Sequence, residues 1–180
     1  MKNFLLSALL FILSLNSFSQ TTFQVYDINN GLRDMFPSRT IVTNSSGRVD
    51  VYNVNNGLRE MFPSQTISTN RNGGVDVYQV NNGLREMFPS LSSAVSYSGA
   101  IDVYKINNGL KDMFPSQTIS PSYNGRMDVY SVNNGLREIF PSQTYNSNPY
   151  GGVDIHSYVN GIPTLNPSFS VRSTLYRSRY

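Results

Sequence analysis

The chain has no cysteine, no tryptophan, a single histidine, and only 14% charged residues over 180 positions. Each scarcity removes a class of explanation. Without Cys there is no disulfide staple, no thiolate metal site, no Cys nucleophile and no lipid carried on a cysteine. With His156 alone, a Ser–His–carboxylate triad has no pattern to rest on. A net charge of +3 is too small to mark a nucleic-acid binder. Beyond Leu15 no apolar run is long enough to span a bilayer as a helix. No phosphate-cradling loop or zinc spacing appears. The expectation is no enzyme: no catalytic residue, no metal site, no cofactor, no nucleic acid and no transmembrane segment.

The first residues have another use. Lys2, the apolar stretch Phe4 to Leu15 and Ser17-Phe18-Ser19 have the form of a secretory leader with its cleavage site. Residues 1–19 are therefore read as a signal peptide. The mature chain is expected to be secreted, extracellular or on the cell surface, with the periplasm as the alternative.

What the chain has in abundance is repetition. A 26-residue phrase starts at Val25 and recurs at Val51, Val77, Val103 and Val129, reading VYDINNGLRDMFPS, VYNVNNGLREMFPS, VYQVNNGLREMFPS, VYKINNGLKDMFPS and VYSVNNGLREIFPS. A worn sixth copy, IHSYVNGIPTLNPS, starts at Ile155. A period that never drifts means one supersecondary unit used again and again. The predicted organisation is a signal peptide (1–19), a leading strand (20–24), five tandem repeats (25–154), and a degenerate sixth repeat (155–180) acting as a C-terminal cap.

One unit can be read letter by letter. Val49 to Val54 is rich in β-branched and aromatic residues and predicts a strand. Asn56-Gly57 predicts a type I′ hairpin turn, as do Asn82-Gly83, Asn108-Gly109 and Asn134-Gly135, because that turn needs positive φ at both central residues. The register pairs Asn55 with Leu58, Val54 with Arg59, Tyr52 with Met61 and Val51 with Phe62. A single helical turn over Leu58 to Phe62 is the competing reading, but it is short for a helix that must nucleate. Pro63 ends the element, and Gln65 to Ser68 predicts a third strand with Ile67 inward. The stretch that differs between copies, Thr69 to Asn72 here, reads as a solvent-facing turn. Val, Tyr, Leu, Met, Phe and Ile are assigned to packing.

The fold class predicted is all-β: six tandem β-hairpin or three-stranded units in an open β-solenoid-like array. A worn last unit looks like a cap, which favours the open form. The alternative is a closed, small propeller-like ring, since the leading strand could complete the last unit.

Near-identical copies suit binding and assembly better than catalysis, because linked weak sites gain avidity. The expected function is a secreted structural or adhesive interaction protein acting through a repeated surface or self-association, with another surface protein as the other partner. A multivalent lectin-like protein that binds polysaccharide is the alternative. Its candidate binding residues are Tyr52, Tyr78, Tyr104 and Tyr130 for stacking, with Arg59, Arg85, Lys111 and Arg137 as hydrogen-bond donors. Each of these cations precedes an acid, so a surface ladder of ion pairs is expected. A threonine column (Thr40, Thr66, Thr118, Thr144) is too narrow and irregular for an ice-binding face.

Overall fold

The computed structural model describes residues 21–122, 125–149 and 151–174. The expected signal peptide lies outside the described residues. Everything regular among them is strand, and every unit repeats one pattern. In the first unit a long strand β1 (Thr22–Asn29) is followed by a two-residue strand β2 (Leu32–Arg33) and a return strand β3 (Arg39–Thr43). The second unit is β4 (Val49–Asn55), β5 (Leu58–Arg59) and β6 (Gln65–Thr69). The third is β7 (Val75–Asn81), β8 (Leu84–Arg85) and β9 (Leu91–Val95), and the fourth β10 (Ile101–Asn107), β11 (Leu110–Lys111) and β12 (Gln117–Pro121). The fifth is β13 (Met127–Asn133), β14 (Leu136–Arg137) and β15 (Gln143–Ser147), and the sixth β16 (Val153–Val159), β17 (Ile162–Pro163) and β18 (Phe169–Ser173).

Long and return strands alternate around a single antiparallel sheet, and β18 pairs with β1 to close it. The product is a twelve-stranded barrel with six small hairpins attached. The expected open array is thus corrected, and the ring alternative fits, as one closed barrel and not as separate blades. The cause is stagger. Ile41 sits opposite Val51 on one side, but Ile67 sits opposite Val49 on the next and opposite Val77 beyond it. Each unit therefore steps the register by two residues, and that accumulated shear gives the strand tilt a barrel needs. At the seam Val153 faces Val171, and Val171 faces Val25, the same step again.

The alternation of side chains fixes inside and outside. Val25, Val51, Val77, Val103, Val129 and Ile155 point inward with Ile41, Ile67, Ile119, Tyr145 and Val171, in one continuous core. Val51, Ile41, Val129 and Ile155 are 0% exposed, so this layer plugs the barrel. The alternate positions point outward, and those level with the core layer are polar. Asp50 accepts a hydrogen bond from Thr66 Oγ1 at 2.8 Å, Asp76 from Ser92 Oγ at 2.7 Å, Asp102 from Thr118 Oγ1 at 2.7 Å and Asp154 from Ser170 Oγ at 2.7 Å. These cross-strand pairs take up the hydroxyls of Thr66 and Thr118, while Thr144 Oγ1 donates to the Met127 carbonyl. Among the described residues no helix is long and apolar enough to cross a membrane.

The barrel has two unlike rims. All long strands run the same way, so all six hairpins emerge at one rim. The turns that differ between copies lie at the other. There Asn70 Oδ1 accepts from the backbone N–H groups of Asn72 and Gly74, and Asn148 Oδ1 from that of Gly152, a local turn device that tolerates changing neighbours.

Candidate functional site: a crown of apolar hairpins

The hairpins begin as the residues dictate. Asn56, Asn82, Asn108 and Asn134 have φ of 51, 49, 49 and 51°, and Gly57, Gly83, Gly109 and Gly135 of 80, 81, 81 and 80°. Both central residues are left-handed, as a type I′ turn demands. Asn55 pairs with Leu58 and Val54 with Arg59, in the expected register. The expected pairs Tyr52–Met61 and Val51–Phe62 do not form. After Arg59 the ladder makes one more bond, from Glu60 N–H to Asn53 C=O, and then Met61-Phe62-Pro63 turns the chain back toward the barrel. Proline has no N–H with which to continue the ladder.

The consequence reverses the packing assignment for three of the recurring letters, Leu, Met and Phe. Leu58 is 77% exposed, Met61 84% and Phe62 52%, and the other units match them closely. Leu32, Met35, Phe36, Leu84, Met87, Phe88, Leu110, Met113, Phe114, Leu136, Ile139 and Phe140 are all exposed. Even the worn unit presents Ile162 and Leu165. One rim of the barrel therefore carries a continuous apolar circle, far more than the scattered apolar residues of an ordinary surface.

Neighbouring hairpins are tied at the base by a backbone hydrogen bond, as from Val80 N–H to the Ser64 carbonyl at 3.0 Å, and above it by a ring contact. The Phe62 ring lies over Gly83 of the next unit, and Phe36, Phe88, Phe114 and Phe140 lie likewise over Gly57, Gly109, Gly135 and Gly161. At the seam Asn166 stands where the phenylalanine would be, against Gly31. Between hairpins run grooves of roughly 400 Å³. One is lined by Asn53, Glu60, Phe62, Pro63, Gln79 and Asn82, and an equivalent one by Lys105, Asp112, Phe114, Pro115 and Asn134.

Charge in the crown is sorted by radius. On the outer side each cation lies over the tyrosine of its own unit. Arg59 is 4.5 Å from the Tyr52 ring centre, Arg85 4.3 Å from Tyr78, Lys111 3.6 Å from Tyr104 and Arg137 4.4 Å from Tyr130. The sequence-predicted binding residues are thus brought together in pairs, with one tyrosine face taken by a cation. Arg33 and Tyr26 form a fifth pair at 4.4 Å, which reading the repeat from its second unit overlooked. On the inner side the acids are held by asparagine amides: Asn29 Nδ2 donates to Asp34, Asn55 to Glu60, Asn81 to Glu86, Asn107 to Asp112 and Asn133 to Glu138, at 2.9–3.1 Å. The expected ladder of Arg–acid ion pairs is absent: among the described residues the ion pair present is Arg48–Asp50, at the other rim. Consecutive residues of a strand point to opposite faces, so Arg59 and Glu60 cannot share one.

Inside the crown, just above the core, two inward columns differ from unit to unit. One reads Asp27, Asn53, Gln79, Lys105, Ser131, Ser157, and the other Arg39, Gln65, Leu91, Gln117, Gln143, Phe169. Sequence reading missed this ring. Its signal was available: within the otherwise uniform long strand, the Asp27 column is the one that changes in nearly every copy, reading Asp, Asn, Gln, Lys, Ser, Ser. At the seam the ring encloses a cavity of about 380 Å³ lined by Val25, Asp27, Ser38, Arg39, Ser168 and Phe169. Ser38 Oγ donates to Asp27 Oδ1 at 3.0 Å. Burial lowers the Arg39 pKa from its ordinary value, and the Asp27 charge works the other way.

Among the described residues no group of three or more His, Cys, Asp or Glu is placed to hold a metal ion. His156, the lone histidine, has Nδ1 2.9 Å from the Thr164 carbonyl oxygen. In comparisons with known proteins, no family model, no curated protein and no solved structure matches this chain.

Proposed function

We propose that the mature chain is an exported, non-enzymatic interaction protein that adheres through its hairpin crown to an apolar surface on another protein. One observation carries this reading: the Leu, Met and Phe of the repeated motif stand in water at the rim and not in the core. Burying a single such residue is worth about 1.5–3 kcal/mol, so a few hairpins engaged together give useful affinity. Charge favours a foreign partner over a second crown. Two crowns meeting face to face would set outer cations against outer cations and inner acids against inner acids, which opposes association.

The test is a variant with Met35, Met61, Met87, Met113 and Ile139 all changed to Ser. Retention of the wild-type protein on an alkyl-coated sensor is expected, with loss of most of it in the variant at unchanged melting temperature. Equal retention of the two proteins would defeat the reading. Sedimentation velocity over a concentration series checks the partner. Crown-dependent dimers that the same substitutions disperse would show self-association instead.

The lectin-like alternative draws support from a different observation, the repeated grooves. Each offers a carboxylate, amides and the edge of a phenylalanine, which suits hydroxyls above an apolar sugar face. The tyrosines are less suited, since a cation already lies on each ring. A glycan array with Glu60→Gln and Glu86→Gln variants tests it: signal that survives both changes would remove the grooves from consideration.

A further inference from the structure

We propose that the cavity at the seam of the barrel mouth binds one free apolar α-amino acid. The cavity is unlike the rest of the molecule. Five of the six units carry no arginine on this inward column, and only the first has Arg39 with Asp27 beside it. The two are diagonal neighbours on paired strands: Arg39 lies opposite Val25, and Asp27 is two residues further along β1. They do not make an ion pair, although both are half-buried.

That arrangement leaves complementary chemistry unspent. Among the described residues the Arg39 side chain makes no hydrogen bond or ion pair, so its planar fork of N–H donors is open to the cavity that it lines. A guanidinium matches a carboxylate in two parallel hydrogen bonds. A bare carboxylate would also meet the charge of Asp27, however, and that repulsion would cancel much of the gain. A ligand with an ammonium one carbon from its carboxylate satisfies both side chains at once. Asp27 has received one hydroxyl donor, from Ser38, and a carboxylate accepts several. The remainder of the cavity is apolar on two sides. Val25 forms the floor, and Phe169 stands opposite Asp27 on β18. An aliphatic or aromatic side chain fits against them. The space is within the range of small-ligand pockets.

The site belongs to closure. Asp27 and Arg39 come from the first unit, Phe169 and Ser168 from the last. An unclosed chain would not have it.

The repeats themselves supply safe variants. Arg39→Gln places the residue that three sister units carry there (Gln65, Gln117, Gln143), and Asp27→Asn copies Asn53. The experiment is calorimetric titration of the mature protein with L-phenylalanine and L-leucine, then with N-acetyl-L-phenylalanine and L-phenylalaninamide. Both free amino acids are expected to bind. Each blocked derivative and each variant is expected to bind at least about tenfold more weakly, the scale of a lost charged hydrogen bond. The melting temperatures of the variants should stay at the wild-type value. No heat with either amino acid overturns the proposal. So does equal binding by Arg39→Gln, or equal binding by the acetylated form, which would mean an anion site only. The crown variant with five serines should bind amino acids as the wild type does, so the two proposals fail separately.

Discussion

The Phe62 ring covers Gly83 of the following unit so closely that a Cβ placed on Gly83 would lie 2.9 Å from the ring edge. The glycine is needed twice, once for its φ of +81° and once for this contact. Gly73 is needed only once: its φ is +72°, but nothing lies within 4 Å of a Cβ there. Chemical denaturation should separate the two. Gly73→Ala is expected to cost about 1–2 kcal/mol, the left-handed penalty alone. Gly83→Ala should cost about 1–3 kcal/mol more, for overpacking against the ring. Equal losses would mean that the hairpins do not lean on one another.

The seam offers the converse. Asn166 takes the place of the phenylalanine over Gly31. Asn166→Phe should stabilise the protein by about 1 kcal/mol by covering apolar surface that the other five contacts already cover. Phe62→Asn should lose a similar amount. Thermal melts of the two variants read the result.

Core and crown should respond oppositely to truncation. Ile67→Ala opens a cavity in a layer without spare space and is expected to cost about 2–5 kcal/mol. Met61→Ala removes an equally large apolar side chain from the rim and should change stability by no more than about 0.5 kcal/mol. A large loss at Met61 would return the motif to a packing role.

Alkaline pH should weaken the fold through tyrosine. The Tyr158 phenol is raised above its ordinary value of 10.0, chiefly by burial and then by the charge of Asp128. Tyr104 is raised by burial and then by Asp102. A raised folded-state pKa means that the folded protein holds the proton longer than the unfolded one. Its contribution is complete below the unfolded pKa and is lost as pH rises through the folded value. Stability should therefore decline above pH 10, and Tyr158→Phe should make that decline shallower. An unchanged slope in the variant, with the ionisation followed by ultraviolet absorbance, would assign the decline elsewhere.

Local chemistry was legible in the sequence, and global closure was not. Asn56-Gly57 determines its turn because few residues tolerate φ > 0, and the first two ladder pairs follow from it. Where the ladder stops was hidden, because Leu58, Met61 and Phe62 carry the spacing of a buried face while standing at a rim. An open and a closed arrangement share nearly every local contact. What decides between them is a two-residue step repeated until β18 meets β1, and no single repeat displays that sum. The worn sixth unit does not open the sheet. Val153, Ile155 and Val171 remain fully buried, and the wear falls on hairpin residues such as Pro163, Leu165 and Asn166. The mouth cavity was harder still, since Arg39 and Phe169 are 130 residues apart and meet only across the seam.

The two rims give the molecule a direction. β1 starts, and β18 finishes, at the rim away from the hairpins, where Thr174 N–H donates to the Thr22 carbonyl at 3.0 Å. The described chain thus enters and leaves on the same side. A bead, a dye or a carrier protein held beside Thr22 and Thr174 would grip the barrel by its base, with all six hairpins facing outward.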